Sequence, residues 1–539
     1  MKHNGKWLIC LVLVLAMCLA MPSAFSDSAE QNGNDTNAES AASDKIDPRN
    51  CGDKERMKVS VTVLSGYTQP DSVEEKRLED RYNIDIELIV LPGWTDGPTK
   101  LDTLMASGDT PTVIWWGWDA TKQYQQWKNA GLLVDVSEYI NKYTNMRDYY
   151  NKMNPMTLFY DTEEDGSMYR MPAAVAEPSC ETLWIRQDWL NNLNMEIPTT
   201  IEELNEVLRA FTEDDPDGNG VNDTYGLGGH GANFNTVWPW IQSYDYTDAT
   251  RWVVTEDGTV GYGPAMENTK KWLADVAELY AKGWIKPNII QANDRDQEMV
   301  NGGFGVTYSW CTWNNADNAI MKAFYETHPD AKWVPIDMVK GENGNPQNAS
   351  STAAAWAKFA FTSSCTDPER LFAIWDDMAS DEVYIERIFG IEGEDYTFDD
   401  NGDYVAIHNP EGDDNTALNL GLNMFYAIFY RTDEAQLSKT KSTLELFDRS
   451  IATSRDRFGQ LVEWQDSTKL TNWMEVSTDI SDEANRYMWA VIAGEDSIDN
   501  WDNYIATLNS LGLQEAVEEA QTVYDEQSKR VDAYMASLN

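Results

Sequence analysis

WIRQDWLNNLNMEIPTTIEELNEVLRAFTEDDPDGNGVNDTYG, residues 184–226, carries two signals back to back. The first is a capped helix. Pro198, Thr199 and Thr200 lead into an amphipathic run in which Ile201, Leu204, Val207 and Leu208 recur at helical spacing. The second is the nonapeptide DPDGNGVND. Oxygen-bearing side chains fall at loop positions one, three, five and nine (Asp215, Asp217, Asn219 and Asp223). Gly220 stands at six and the Val221 carbonyl at seven. Short carboxylates and a carbonyl converge in this way on a hard cation, and glycine permits the sharp turn, so the pattern is the front of an EF-hand-type calcium loop. An EF-hand also supplies a bidentate Glu at position twelve, where this chain has Gly226. The rest of the ligand set must then come from elsewhere or from water. A plain Asp/Asn/Gly-rich turn has the same composition. No nucleophile or general base adjoins the loop, so a calcium ion here is expected to be structural.

The chain of 539 residues is long enough for two or more domain-sized units, and 42% hydrophobic residues can build real cores. Its formal net charge is −49, yet it holds 22 Trp and 25 Tyr. Acidic disordered chains are poor in aromatics, so the composition describes a folded protein with an acidic surface. Such a charge argues against nucleic acid and anionic membranes as partners and favours an uncharged ligand. Lys2 and Lys6 precede an apolar core from Trp7 to Ala20, the pattern of an export signal over residues 1–26. Two exits are open. Leu15-Ala16-Met17-Cys18 resembles a bacterial lipobox, although Met17 is unusual before the cysteine. Ala24-Phe25-Ser26 suits ordinary cleavage. No other segment is long and apolar enough to span a bilayer. Four cysteines follow the signal (Cys51, Cys180, Cys311, Cys365). None is spaced as CxxC, and one or two disulfides of unreadable connectivity fit an exported chain. Four scattered histidines without HExxH give poor support to a zinc or Ser-His-Asp site.

Residues 27–56 are rich in Ser, Asn, Asp, Ala and Gly and read as a flexible tether. Order begins near Met57. Lys58 to Leu64 alternates like a strand. A helix over Val73 to Tyr82, a strand over Ile84 to Leu91, a helix ending near Gly108, a buried strand over Thr112 to Trp116 and a helix over Ala120 to Ala130 follow. Strands alternating with helices at this spacing predict a parallel sheet in an α/β domain. Later segments read as helices: Thr269 to Lys282, Pro368 to Ser380, Ser438 to Ser454 and Leu513 to Ser537.

In this order, several short motifs resemble the extracellular solute-binding proteins, family 1, of carbohydrate ABC importers. They are Leu104-Met105-Ala106-Ser107-Gly108-Asp109 with Pro111, Ile185-Arg186-Gln187-Asp188-Trp189-Leu190, Pro198-Thr199-Thr200, the DPDGNGVND loop, Tyr262-Gly263-Pro264 and Phe389-Gly390-Ile391-Glu392-Gly393. The likeness runs from about Met57 to the C-terminus. It implies an α/β, two-lobed, periplasmic-binding-protein-like fold (type II) with a hinge between the lobes. Relatives with this loop look like calcium binders; some carry an acidic residue where this chain has Thr224. By the same analogy the crossovers lie near Met171 to Pro178, Phe304 to Trp310 and Ala357 to Ser363. Lobe one is then 57–172 plus 304–360, and lobe two is 173–303 plus 361–539.

Sugar rings present flat C–H faces edged by hydroxyls, so a sugar cleft needs aromatic platforms beside planar hydrogen-bonding groups. Trp116, Trp118 and Asp119 stand at the end of a strand, where α/β sheets bind ligands. Trp238 and Trp240 follow a Gly/Asn-rich stretch. Tyr308, Trp310 and Trp313 follow the Gly-Gly-Phe-Gly segment, and Glu177 and Arg186 lie close to the first crossover. These ten are the candidate ligand-binding residues. Each competes with a plain core or ion-pair role, and Trp115 and Trp189 read as core. The resemblance implies an oligosaccharide ligand, permease subunits as partners, a monomer, an extracellular or lipid-anchored location, and no catalysis. A binder for a peptide or other non-sugar solute and a secreted glycoside hydrolase are the alternatives; the hydrolase would need two carboxylates across a sugar cleft.

Overall fold

The computed structural model describes residues 45–65, 70–93, 95–118, 120–174, 181–292, 295–310, 319–345, 357–400, 402, 404–407 and 460–538. The export signal, most of the tether and the helix expected over Ser438 to Ser454 lie outside them. No helix among the described residues is long and apolar enough to cross a membrane.

The strands in chain order are β1 (Met57–Leu64), β2 (Ile84–Leu91), β3 (Val113–Trp116), β4 (Met171–Ala174), β5 (Glu181–Arg186), β6 (Tyr225–Leu227), β7 (Trp252–Val254) and β8 (Val260–Tyr262). Then come β9 (Phe304–Trp310), β10 (Trp333–Ile336), β11 (Ala357–Phe361), β12 (Tyr396–Phe398) and β13 (Tyr404–Ala406). The alternation seen in the sequence makes β1 a central strand, with Val59, Val61 and Val63 buried. It pairs in parallel with β2 and with β3. The helix Val73–Tyr82 that links β1 to β2 starts on Ser72, whose hydroxyl accepts the Glu75 N–H, and stops at Asn83 in the left-handed conformation. The first sheet has the order β2-β1-β3-β11-β4, and β11 lies antiparallel to both its neighbours. The expected parallel sheet is therefore mixed, because β11 enters from a distant part of the chain.

A second sheet, β10-β5-β9-β6, has its own core. The helix Ile201–Glu213 runs as expected: Thr200 caps it, and Ile201, Leu204, Val207, Leu208 and Phe211 are buried. Two separate sheets with separate cores make the molecule two-lobed.

The lobes are divided differently from the expectation. Phe304–Trp310 is an interior strand of the second sheet, bonded to β5 and β6, rather than a crossover. The helix Pro368–Met378 buries Leu371, Phe372, Ile374 and Trp375 in the first core, with Val383, Tyr384 and Phe389 behind them. Among the described residues, lobe one is thus built from 57–174 and 357–406, and β9 and β10 belong to lobe two. Hydrogen-bond pairing and apolar faces decided this, and neither is visible in chain order. The chain changes lobes between β4 and β5 and between β10 and β11, and again before Leu461, which bridges to Val253. Residues from Ile46 onward, expected as tether, are held on lobe one. Ile46 N–H donates to the Tyr143 hydroxyl, Arg49 pairs with Asp377 at 2.7 Å, and Cys51 is buried.

The C-terminal helix Leu513–Ser537 joins the lobes. Ala516, Ala520 and Val523 pack in lobe two, while Val531 and Tyr534 lie against Met156, Phe159 and Tyr160 of lobe one. The Tyr534 hydroxyl donates to the Pro155 carbonyl (3.1 Å), and Gln465 Nε2 donates to the carbonyls of Phe159 (3.1 Å) and Thr162 (2.8 Å). Glu164 takes Lys469 at 2.5 Å and Arg530 at 2.8 Å.

Candidate functional site

Where the lobes meet, charges gather that a chain of net −49 has few cations to supply. On lobe one the helix Met156–Asp161 ends in a buried carboxylate. Asp161 holds Arg170 Nε at 2.9 Å and Lys358 Nζ at 2.6 Å. The Arg170 guanidinium lies 4.5 Å over the ring of Tyr124, whose hydroxyl donates to Glu163. Lys358 projects from β11 opposite Trp116; burial pulls its pKa down, and Asp161 opposes that pull. On lobe two Asp248 accepts the N–H groups of Thr250 and Arg251 and pairs with the Arg251 side chain at 2.9 Å. Arg251 sits 5.6 Å over the ring of Trp238. Glu463 feels the charges of both sets. Burial pushes its carboxyl up to about 7, while Arg251 of lobe two and Lys358 of lobe one pull it down and Asp248 raises it. Glu463 is nonetheless half-buried rather than sealed.

The expected ligand residues separate into groups. Trp116 is 4% exposed and packs against Trp127 (ring centroids 5.8 Å) and Tyr124 (6.4 Å), which makes it core. Trp240 is buried and its indole N–H donates to Asn205 Oδ1 at 3.0 Å. Tyr308 is buried in the second core. Arg186 is buried, bonded twice to Asp188 (2.8 and 2.5 Å) and stacked 4.5 Å over Trp189. Among the described residues these four take part in the packing of their lobes. Trp118 is partly exposed, edge-on to Trp115 at 5.9 Å and against the start of the helix Gly97–Ser107. Trp238 shares the junction with Arg251. Asp119, Glu177 and Trp313 lie outside the described residues, as does the side chain of Trp310. Sequence reasoning missed Arg170, Arg251, Lys358 and Glu463. One signal was present: Lys358 is a lone cation in the apolar run AAAWAKFAF, residues 353–361.

The acidic loop closes on Asn219. Gly218 and Gly220 take positive φ (+70° and +84°), and Asp215 and Asp217 both accept the Asn219 N–H. Asn219 Nδ2 donates to Asp217 and Asp223, and Gly220 N–H donates to Asp215. Three carboxylates thus surround one amide, a donor set of hard oxygens that suits calcium. Among the described residues no three acidic, His or Cys side chains are already drawn together as a metal cage. Position twelve cannot help. A Cβ on Gly226 would stand 2.5 Å from the Leu208 Cα and carbonyl, because β6 passes that close to the helix. Cys51 and Cys365 are buried free thiols, and Cys180 and Cys311 lie outside the described residues.

Comparison with known proteins adds a family match. The family model described as bacterial extracellular solute-binding protein matches residues 68–358. The polygalacturonan/rhamnogalacturonan-binding protein YtcQ of Bacillus subtilis is 26% identical over 410 residues, spanning 73% of this chain and 74% of that one. Among solved structures, a human-milk-oligosaccharide (HMO)-binding, ABC-transporter-associated solute-binding protein of Bifidobacterium longum infantis superposes with a TM-score of 0.67. It is 19% identical and covers 87% of this chain and 99% of its own. The EF-hand mutant of FusA from Streptococcus pneumoniae, an ABC-transporter substrate-binding protein in complex with fructo-nystose, gives 0.65 at 20% identity. It covers 88% of this chain and 100% of its own.

Proposed function

Because this chain belongs to the bacterial extracellular solute-binding protein family, we propose that it is the substrate-binding component of an ABC importer and captures an oligosaccharide in the cleft between its lobes. The observation that carries the reading is the shared junction. Lys358 and Arg170 come from one lobe, Arg251, Trp238 and Glu463 from the other, and a ligand touching both sets favours the closed arrangement by its differential affinity. Two named relatives bind glycans, a third is complexed with one, and no step of catalysis is needed for capture. A flat indole beside hydrogen-bonding groups suits a sugar ring. The acidity of the surface favours an uncharged glycan. Calcium held by Asp215, Asp217, Asn219, the Val221 carbonyl and Asp223 is part of the same reading. It would stiffen the turn between the helix Ile201–Glu213 and β6 and takes no part in capture. So are a monomeric state, permease subunits as partners, and a lipid anchor on Cys18 or release after Ser26.

Thermal unfolding of the mature chain against neutral manno-, galacto- and fructo-oligosaccharides and against oligogalacturonides tests this, since a ligand of the native state raises Tm. A rise with one glycan class and no product on chromatography is expected. Turnover of the glycan, or a rise only with peptides, would overturn it.

A further inference from the structure

We propose that Glu74 is kept as a neutral carboxylic acid inside lobe one and that its ionisation is an alkaline switch, which draws Arg77 away from Asp395 and loosens the Phe389-Gly390-Ile391-Glu392-Gly393 turn and the β12–β13 hairpin behind it. The inference stands apart from the sugar-binding reading above. Burial and hydrogen bonding carry its first half. Glu74 lies in the first turn of the helix Val73–Tyr82 and is 0% exposed. Among the described residues neither of its carboxyl oxygens has a hydrogen-bond partner. A carboxylate buried without donors loses its hydration and gains no bond in exchange, so the proton stays on. Burial, with Glu386 behind it, pushes the carboxyl up to about 8 against the pull of Arg77, Arg387 and Arg81.

One shared cation carries the second half. Arg77 lies one turn further along the same helix. Its Nη1 stands 2.7 Å from Asp395 Oδ2 and 3.8 Å from Glu74 Oε2. It is bonded to Asp395, through Nη2 (3.4 Å) as well as Nη1. Arg81, the next cation along the helix, is already paired with Glu386 at 2.6 Å. Asp395 is buried at the centre of the turn. Its Oδ2 also accepts the Ile391 N–H (2.8 Å), and its carbonyl accepts the Ile407 N–H (2.8 Å). Gly390 takes φ +88°, and a Cβ there would stand 2.5 Å from the Asp395 Cβ, so the turn closes directly on this residue. In the hairpin Tyr396 stacks on Tyr404 (4.9 Å), whose hydroxyl donates to the Phe389 carbonyl (3.1 Å). Once Glu74 is charged, Arg77 stands between two buried carboxylates, and its shift toward Glu74 weakens the pair with Asp395. The groups facing Glu74 are Arg77 and Arg81 on its own helix, Glu386 and Arg387 on the helix Asp381–Phe389 with Tyr384 and Tyr82 beside Arg387, and Asp395 and Glu394 across Arg77.

The seated turn holds a proton that the loosened one releases, so loosening sets in as pH rises through 8 and is absent in acid. Hydrogen exchange of the mature chain between pH 6 and 9.5, expressed as protection so that the intrinsic rate cancels, reads this. The ionised fraction rises from about a tenth at pH 7 to about nine tenths at pH 9, so protection of residues 390–400 is expected to fall about tenfold in the wild type, with the β1 amides unchanged. Glu74→Gln, which keeps the neutral shape, is expected to hold its pH 7 protection throughout. Arg77→Gln lacks the shared cation and is expected to show the loosened turn at both pH values, with β1 still protected. Wild-type protection at 390–400 that is independent of pH, a fall that survives in Glu74→Gln, or the wild-type step in Arg77→Gln would overturn the proposal. So would an equal loss at β1, which would mean unfolding of the whole lobe in place of a switch.

Discussion

Trp116 and Trp238 carry the same indole into different surroundings. Trp116 is enclosed by Trp127 and Tyr124 on β3, whereas Trp238 keeps exposed surface beside Arg251. Trp116→Ala leaves a cavity and is expected to lower stability by about 3–5 kcal/mol, read as a shift in denaturant midpoint. Trp238→Ala, which removes a side chain only partly buried against the second core, is expected to move that midpoint less and to weaken glycan binding about tenfold, the value of one stacked face. The reverse pattern would place the platform elsewhere. Glu463 adds a pH effect on stability independent of any ligand. Its folded carboxyl binds a proton more tightly than the unfolded one, about 7 against 4.5. Stability is therefore lost as pH rises from 4.5 through 7, and the cost is complete above. Glu463→Gln is expected to gain on the wild type through that window, by up to about 3 kcal/mol. Equal unfolding free energies of the two proteins at pH 5 and pH 8 would contradict the burial argument.

At the scale of elements, the loop and helix of residues 201–227 behave as one unit. Thr200 caps the helix, and Thr224 and Gly226 tie β6 back to it through Phe211 O and Thr212 Oγ1. Calcium is expected to raise Tm, a chelator to reverse the rise, and Asp217→Ala to abolish it. Gly226→Glu restores the EF-hand residue at position twelve, yet it is expected to destabilise the lobe rather than tighten calcium, because the added Cβ meets the Leu208 backbone. A stable Gly226→Glu protein with tighter calcium binding would refute that packing argument. Helix periodicity and loop spacing were legible here because both are local. The closeness of β6 to the helix was not, since it depends on where two segments dock.

Across the whole molecule, the C-terminal helix and the 460–470 segment hold the lobes together on one side. Glu164 with Lys469 and Arg530, and Phe159 with Tyr534, form that contact. Opening must pivot near it. Truncation after Gln527 removes Arg530, Val531 and Tyr534 while leaving the lobe-two packing of Ala516, Ala520 and Val523. The truncated chain is expected to exchange amide hydrogens faster over Met156–Asp161 and to bind glycan more weakly, with the β1 amides unchanged. Unchanged exchange at 156–161 would show that the helix is not the brace.

The sequence by itself determined what is local or compositional: the α/β alternation of lobe one, the capped helix, the acidic loop and the acidic, aromatic-rich character that made an uncharged ligand the expectation. Tertiary structure decided which lobe owns β9 and β11, since strand pairing joins residues more than a hundred positions apart. It also decided which aromatics are core. Trp240 is tied to Asn205 and Tyr308 packs in the second core, and Lys358 and Arg251 act on Glu463 only when the lobes meet. Burial and electrostatic proximity are properties of the folded whole, and no short window of sequence contains them.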